Sequence, residues 1–92
     1  MPEKKYIINE DLKKLDDLLN EENSFVLNIH VIDREGNYSR LDLEKLFEDK
    51  PLETGELVKL IYLDGRMKDF TQFNIAVGDE NNIYQDSVII RR

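Results

Sequence analysis

The chain has 92 residues, of which 20 are acidic and 13 basic, and its formal net charge is −7 at pH 7. It has no cysteine and one histidine, His30, which excludes disulfide bonds, thiolate metal sites and cysteine nucleophiles. Its length fits one domain over residues 1–92, and no apolar run reaches the roughly 20 residues of a membrane-spanning helix.

Helical periodicity begins near the N-terminus. Asn9 is a favourable N-cap, and acidic residues follow it in the first turn, where the helix dipole favours them. An apolar stripe then recurs at helical spacing. Its members are Leu12, Leu15, Leu18 and Leu19. The pattern predicts a helix over 10–22.

Two strands and a hairpin are predicted next, over 24–33 and 38–41. Between them, residues 33–37 contain Gly36 and Asn37, either of which suits a turn with a positive φ. Alternation along the first strand places one apolar set on a single face, which we expect to be buried. The set is Phe25, Leu27, Ile29 and Val31.

A second, short helix is predicted over 43–49. Asp42 is its expected N-cap, Leu41 and Leu46 occupy the positions of a hydrophobic staple, and Pro51 ends the pattern.

Three further strands are predicted in the C-terminal half. Residues 57–63 are apolar on both faces apart from Lys59, which favours a central strand. Asp64-Gly65 favours a hairpin, after which a strand begins at Arg66 or Phe70 and runs to 77. The last strand covers 83–90.

These elements predict an α+β fold with about five mainly antiparallel strands, an N-terminal helix and a second short helix. The alternative is a small bent β-barrel with a helical plug.

Residue chemistry argues against an enzyme, a metal site or a cofactor. His30 has no nucleophile or second histidine at a catalytic or zinc-binding spacing, so we interpret it as a strand histidine. The acidic loops 33–37 and 79–82 do not match the EF-hand pattern, and turn formation explains their residues.

The distribution of charge points to a partner protein instead. Residues 1–55 hold 14 acidic and 8 basic residues, whereas residues 56–92 hold 6 and 5. Direct binding to nucleic acid is disfavoured, because a phosphate backbone requires clustered lysine and arginine. A basic protein surface is favoured.

The resulting hypothesis is a cytoplasmic acidic module that occludes a basic site on a nucleic-acid-handling protein, as inhibitors from phages and mobile elements do. The candidate contact residues are acids of the two helices and two tyrosine anchors. They are Asp16, Asp17, Glu21, Glu22, Glu44, Glu48, Asp49, Tyr38 and Tyr62. The alternative is a structural or accessory subunit that forms a homodimer through an exposed strand edge.

Overall fold

The computed structural model describes residues 10–48 and 52–92, and the predicted features at Asn9, Asp49 and Pro51 lie outside these ranges. The elements in chain order are α1 (Glu10–Leu19), β1 (Phe25–Asp33), β2 (Tyr38–Arg40), α2 (Leu43–Phe47), α3 (Thr54–Val58), β3 (Phe70–Gly78) and β4 (Tyr84–Arg91). Between α3 and β3 lie a π-helical turn (Lys59–Leu63) and a 3₁₀ turn (Gly65–Met67).

The four strands form one open antiparallel sheet in the order β2-β1-β3-β4. The α+β class is confirmed. The prediction of five strands is wrong, and so is the barrel alternative, because β2 and β4 are the two edges of the sheet and do not pair with each other.

The fifth strand was predicted at 57–63, and this segment is helical. Leu57, Leu60 and Ile61 are buried, which is the i, i+3, i+4 spacing of one helical face. A short apolar run has the same appearance in a buried strand and a buried helix, so the sequence pattern did not separate them. The hairpin predicted at Asp64-Gly65 is the start of the 3₁₀ turn.

Local signals at the other elements agree with the structure. The side chain of Asp42 accepts a hydrogen bond from the backbone N–H of Lys45 and caps α2. Gly36 adopts a φ of 86° in the β1–β2 turn, as expected. Helix α1 ends at Leu19 rather than at residue 22.

A β-bulge at Leu27 overturns the predicted buried face of β1. The register shifts between Val26 and Asn28, so the residues on either side of the bulge follow different alternations. Ile29 and Val31 are buried as expected, whereas Phe25 is 52% exposed. The Leu27 side chain packs over Gly78. A Cβ atom added to Gly78 would lie 2.5 Å from the Cδ1 atom of Leu27, so a larger residue does not fit there.

Within the part of the chain that the structure describes, the helices cover one face of the sheet. Leu12 and Leu15 of α1 join Leu57, Leu60 and Ile61 against the apolar strand residues of that face. We call the opposite face of the sheet the open face. Its residues alternate along each strand with the buried ones, and the register pairs them with one another across the sheet. Its residues are Phe25, Leu27, Asn28, His30, Ile32, Tyr38, Arg40, Gln72, Asn74, Ala76, Gly78, Tyr84, Ser87, Ile89 and Arg91.

Arg92 joins the end of the sheet to the helical layer. Its backbone N–H donates to the carbonyl of Thr71 at 2.8 Å. Its guanidinium donates to the carbonyl oxygens of Ile61, Met67 and Lys68 at 2.6, 3.1 and 2.9 Å. These acceptors lie in and after the π-helical and 3₁₀ turns, and carbonyls at helical ends require such donors.

The packing of α1 can be tested by truncating its central leucine. Leu15 is 0% exposed, so Leu15→Ala removes buried methyl groups and leaves a cavity. We expect the free energy of unfolding to fall by about 2–5 kcal/mol in a urea titration. The exposed neighbour provides the control, because Lys13→Ala changes no buried surface. Equal effects of the two substitutions would contradict the packing described.

Candidate functional site

Five of the predicted contact acids are exposed on the helical layer. We call this surface the acidic helical side; it comprises Asp17, Glu21, Glu22, Glu44 and Glu48. Among the residues that the structure describes, none of these five carboxylates lies within ion-pair distance of a basic side chain. Their charge is therefore directed to solvent.

Helix α3 connects the two groups of acids. It contacts α1, and a recess lined by residues of both helices includes Glu53. On its other flank, a groove of about 470 Å³ separates α3 and the π-helical turn from α2, and both Glu48 and Glu56 line it. The acids of α1 thus lie on the helix that contacts α3, and Glu48 of the α2 group faces α3 across the groove.

The predicted contact residue Asp16 is placed differently. It is 9% exposed, and its carboxylate accepts hydrogen bonds from the Thr54 hydroxyl at 2.7 Å and the Asn20 amide at 3.3 Å. Burial of a carboxylate is costly unless it is hydrogen bonded, and these donors provide part of that compensation. Asp16 therefore ties α1 to α3 and is not part of the acidic helical side.

The groove between α2 and the π-helical turn combines apolar and charged residues. Leu46, Phe47, Leu60 and Leu63 supply its apolar surface. At its rim, Lys59 pairs with Glu56 at 3.6 Å, and Arg66 pairs with Asp64. The two basic side chains thus have local acidic partners, and among the residues that the structure describes Glu48 is the charged residue of this lining without an ion pair.

The two predicted tyrosine anchors lie on different sides of the molecule. Tyr62 is in the π-helical turn, 42% exposed, beside Leu63, which is 77% exposed. Tyr38 is on the open face, where its ring stacks on that of His30 with centroids 5.1 Å apart. The structure therefore brings Tyr62, and not Tyr38, to the layer that carries the acids.

The carboxylates of the acidic loops are engaged within their own turns. Asp33 accepts the backbone N–H groups of Glu35 and Asn37 at 2.9 Å each. The hydrogen bond from the Asn37 backbone is the main cause that lowers the pKa of Asp33. Asp79 likewise accepts the backbone N–H groups of Asn81 and Ile83. These are turn-stabilising contacts.

The homodimer alternative depends on an exposed edge of the sheet, at β2 or at β4, and the β4 edge carries a lysine from α1. The ammonium of Lys14 donates to the carbonyl oxygen of Ser87 at 3.3 Å and lies 3.5 Å from the carboxylate of Asp86. A lysine over an edge strand is a common protection against pairing with another strand.

Within residues 10–48 and 52–92, no cluster of three or more potential ligands could hold a metal ion. None of the helices in these ranges has the length and apolar character needed to cross a membrane.

No protein-family model matches this sequence, and comparisons with curated proteins and with solved structures found no match.

The role assigned to Asp16 can be tested through its hydroxyl donor. Thr54→Val keeps the shape of the side chain and removes the hydrogen bond to the buried carboxylate. We expect a loss of about 1–3 kcal/mol in the free energy of unfolding. Thr71→Val is the control, because the Thr71 hydroxyl makes a longer, 3.4 Å contact with the Ile32 carbonyl. A smaller effect at Thr54 than at Thr71 would contradict the assignment.

The ion pair at the groove predicts a measurable titration. The side-chain hydrogen bonds of Arg66 lower the pKa of Asp64 from 3.8 to about 2, with help from the Arg66 backbone N–H. Because the pKa of Asp64 is lower in the folded state, the ionised carboxylate stabilises the fold. This stabilisation is complete above the unfolded-state pKa of 3.8 and is lost as the pH falls through about 2. NMR titration of the Asp64 carboxyl should give a midpoint near 2 in the wild type. Arg66→Gln should raise that midpoint, whereas Lys59→Gln, at the same groove, should not.

Proposed function

We propose that the protein is a binding module whose acidic helical side docks onto a basic surface of another protein. The observation that carries the proposal is that five carboxylates of α1, α2 and their C-terminal ends are exposed and have no basic partner among the described residues. A nucleic-acid-handling protein is the favoured partner, because its phosphate-binding site is a dense basic surface.

Electrostatics supports this arrangement. The net charge of −7 gives a long-range attraction to a basic partner, and the exposed acids direct that attraction to the helical side. Charge of this kind accelerates association and makes it sensitive to salt, while the strength of binding depends on apolar contacts.

The helical side also offers apolar contacts. Leu63 and Phe47 line the groove between α2 and the π-helical turn, and Tyr62, which precedes Leu63 in that turn, is exposed. A buried aromatic anchor surrounded by charged residues is the usual composition of a protein-binding hot spot. In the proposed mechanism the acids attract the basic site, Tyr62 anchors the complex, and the bound module blocks access of nucleic acid.

A charge-reversal variant tests the proposal. Asp17→Lys, Glu21→Lys and Glu22→Lys together reverse the α1 group and leave the buried Asp16 intact. Partners are captured from a lysate with the wild type, eluted in a salt gradient and identified by mass spectrometry. We expect a nucleic-acid-handling protein that is competed off by DNA, and whose capture by the variant falls at least about tenfold, which corresponds to about 1.4 kcal/mol.

The control reverses the same number of charges elsewhere. Glu35, Asp69 and Glu80 are exposed in turns outside the helical layer, and their replacement by lysine gives the same net charge as the α1 variant. This control should retain the partner. If both variants lose it equally, net charge and not the acidic helical side governs binding. Undiminished capture by the α1 variant would exclude these acids from the interface.

A further inference from the structure

The open face has a composition unlike the rest of the chain. Although 20 of the 92 residues are acidic, no aspartate, glutamate or lysine is among the described strand positions of this face. Its charged side chains are Arg40 and Arg91, both exposed. Its three exposed aromatic residues are Phe25, Tyr38 and Tyr84, at 52%, 61% and 58%.

The register shows how these residues are arranged. One lateral row reads Arg40, His30, Asn74 and Ile89 from β2 to β4, and the next reads Tyr38, Ile32, Gln72 and Arg91. A guanidinium therefore stands at each margin of the sheet, and the His30–Tyr38 stack lies close to one of them. At the far end of the strands, Phe25 and Tyr84 flank Gly78, and the side chain of Leu27 packs over this glycine.

The central strands of the open face carry amides and apolar side chains. The amides Asn28, Gln72 and Asn74 lie there beside Leu27, Ile32 and Ala76, and the Gln72 amide donates to the Asn74 side-chain oxygen at 2.9 Å. Exposed aromatic rings beside neutral amides are suited to unstacked bases, which stack on the rings and whose edges form hydrogen bonds with amides.

The negative charge of the chain acts only weakly on a ligand at the open face. The acids of the helical side lie across the core, and the Debye length is only about 8 Å at physiological ionic strength. At the β2 margin, Asp42 and Glu44 line a recess together with Arg40, so carboxylates border the face there. A nucleic acid on this face would therefore make few phosphate contacts and would be held mainly by stacking on the aromatic rings.

We propose that the open face binds single-stranded RNA. The stacking positions are Phe25, Tyr38 and Tyr84, the amides contact base edges and ribose 2′-hydroxyls, and the two arginines contact phosphates. The net charge of the chain led us to expect no direct binding of nucleic acid. Net charge is a sum over the whole surface, whereas the fold places the acidic helical side and the open face on opposite sides of the sheet. The inference is independent of the proposed docking of the helical side.

Fluorescence anisotropy with a labelled oligo(U) of about 12 nucleotides, a length within the usual range of single-strand binding sites, tests the proposal. We expect saturable binding that Phe25→Ala and Tyr38→Ala each weaken by about fivefold or more, the lower end of the range for loss of one stacked base. Tyr38→Phe should retain binding, because the ring is kept. Tyr62→Ala, which removes an exposed tyrosine from the helical side, should have no effect.

Salt dependence supplies a second readout. Two guanidinium–phosphate contacts predict a slope of log K against log salt of about −1.4 for a single strand, and Arg91→Gln should make it shallower by about 0.7. Circular dichroism of every variant verifies that the fold is retained.

Several results would overturn the inference. They are absence of binding at about 1 mM protein, equal losses on Tyr62→Ala and Tyr38→Ala, and equal affinity for oligo(dT), which would exclude an RNA-specific site. If the open-face variants lose a captured protein but no form of the chain binds oligo(U), the face belongs to a protein partner and the RNA assignment is wrong. None of these outcomes depends on the charge-reversal experiment at α1.

Discussion

The structure depends on one constraint, which is that a small helical layer covers only one side of a four-stranded sheet. Leu12 and Leu15 of α1, with Leu57, Leu60 and Ile61 of the second helical segment, provide the apolar surface for that side. An antiparallel sheet tolerates exposure of its other face, provided that the residues there are compatible with water. The two surfaces for which we propose functions follow from this division, because five exposed acids lie on the helical side and none of the described strand positions of the open face is acidic.

Polar contacts fix the position of the helical layer on the sheet. The hydrogen bond between Thr54 and the buried Asp16 joins α1 to α3. At the other end of the second segment, Arg92 donates to three carbonyl oxygens. Both contacts join residues far apart in the chain, and both use charged groups that the sequence alone would assign to the solvent-exposed surface. A fold with so few helical turns gains orientation from such contacts, since apolar packing is not directional.

The features predicted correctly from the sequence are those set by local chemistry. The leucine stripe of α1, the Asp42 cap and the turn at Gly36 each depend on residues within one or two turns of one another. The errors have a different origin. Residues 57–63 are helical. The prediction of a strand failed there because a short apolar run looks alike in a buried strand and a buried helix. The bulge at Leu27 and the burial of Asp16 depend on partners on other elements, and no local spacing signals them. The open face is not visible in the sequence at all until the register of four strands is known.

Charge separation explains how the chain can hold two proposed sites of opposite preference. The shortest dimension of the molecule is 23 Å, nearly three times the Debye length of about 8 Å, so salt largely screens exposed charges on one side from a ligand on the other. The basic residues that line the α2 groove, Lys59 and Arg66, pair with Glu56 and Asp64, and Glu48 has no ion pair among the described residues. On the open face, the absence of carboxylates leaves the two arginines without acidic partners on the face itself. A strongly acidic composition therefore does not exclude a surface suited to polyanions, because a ligand responds to the charges within about one Debye length of its contacts and only weakly to the total.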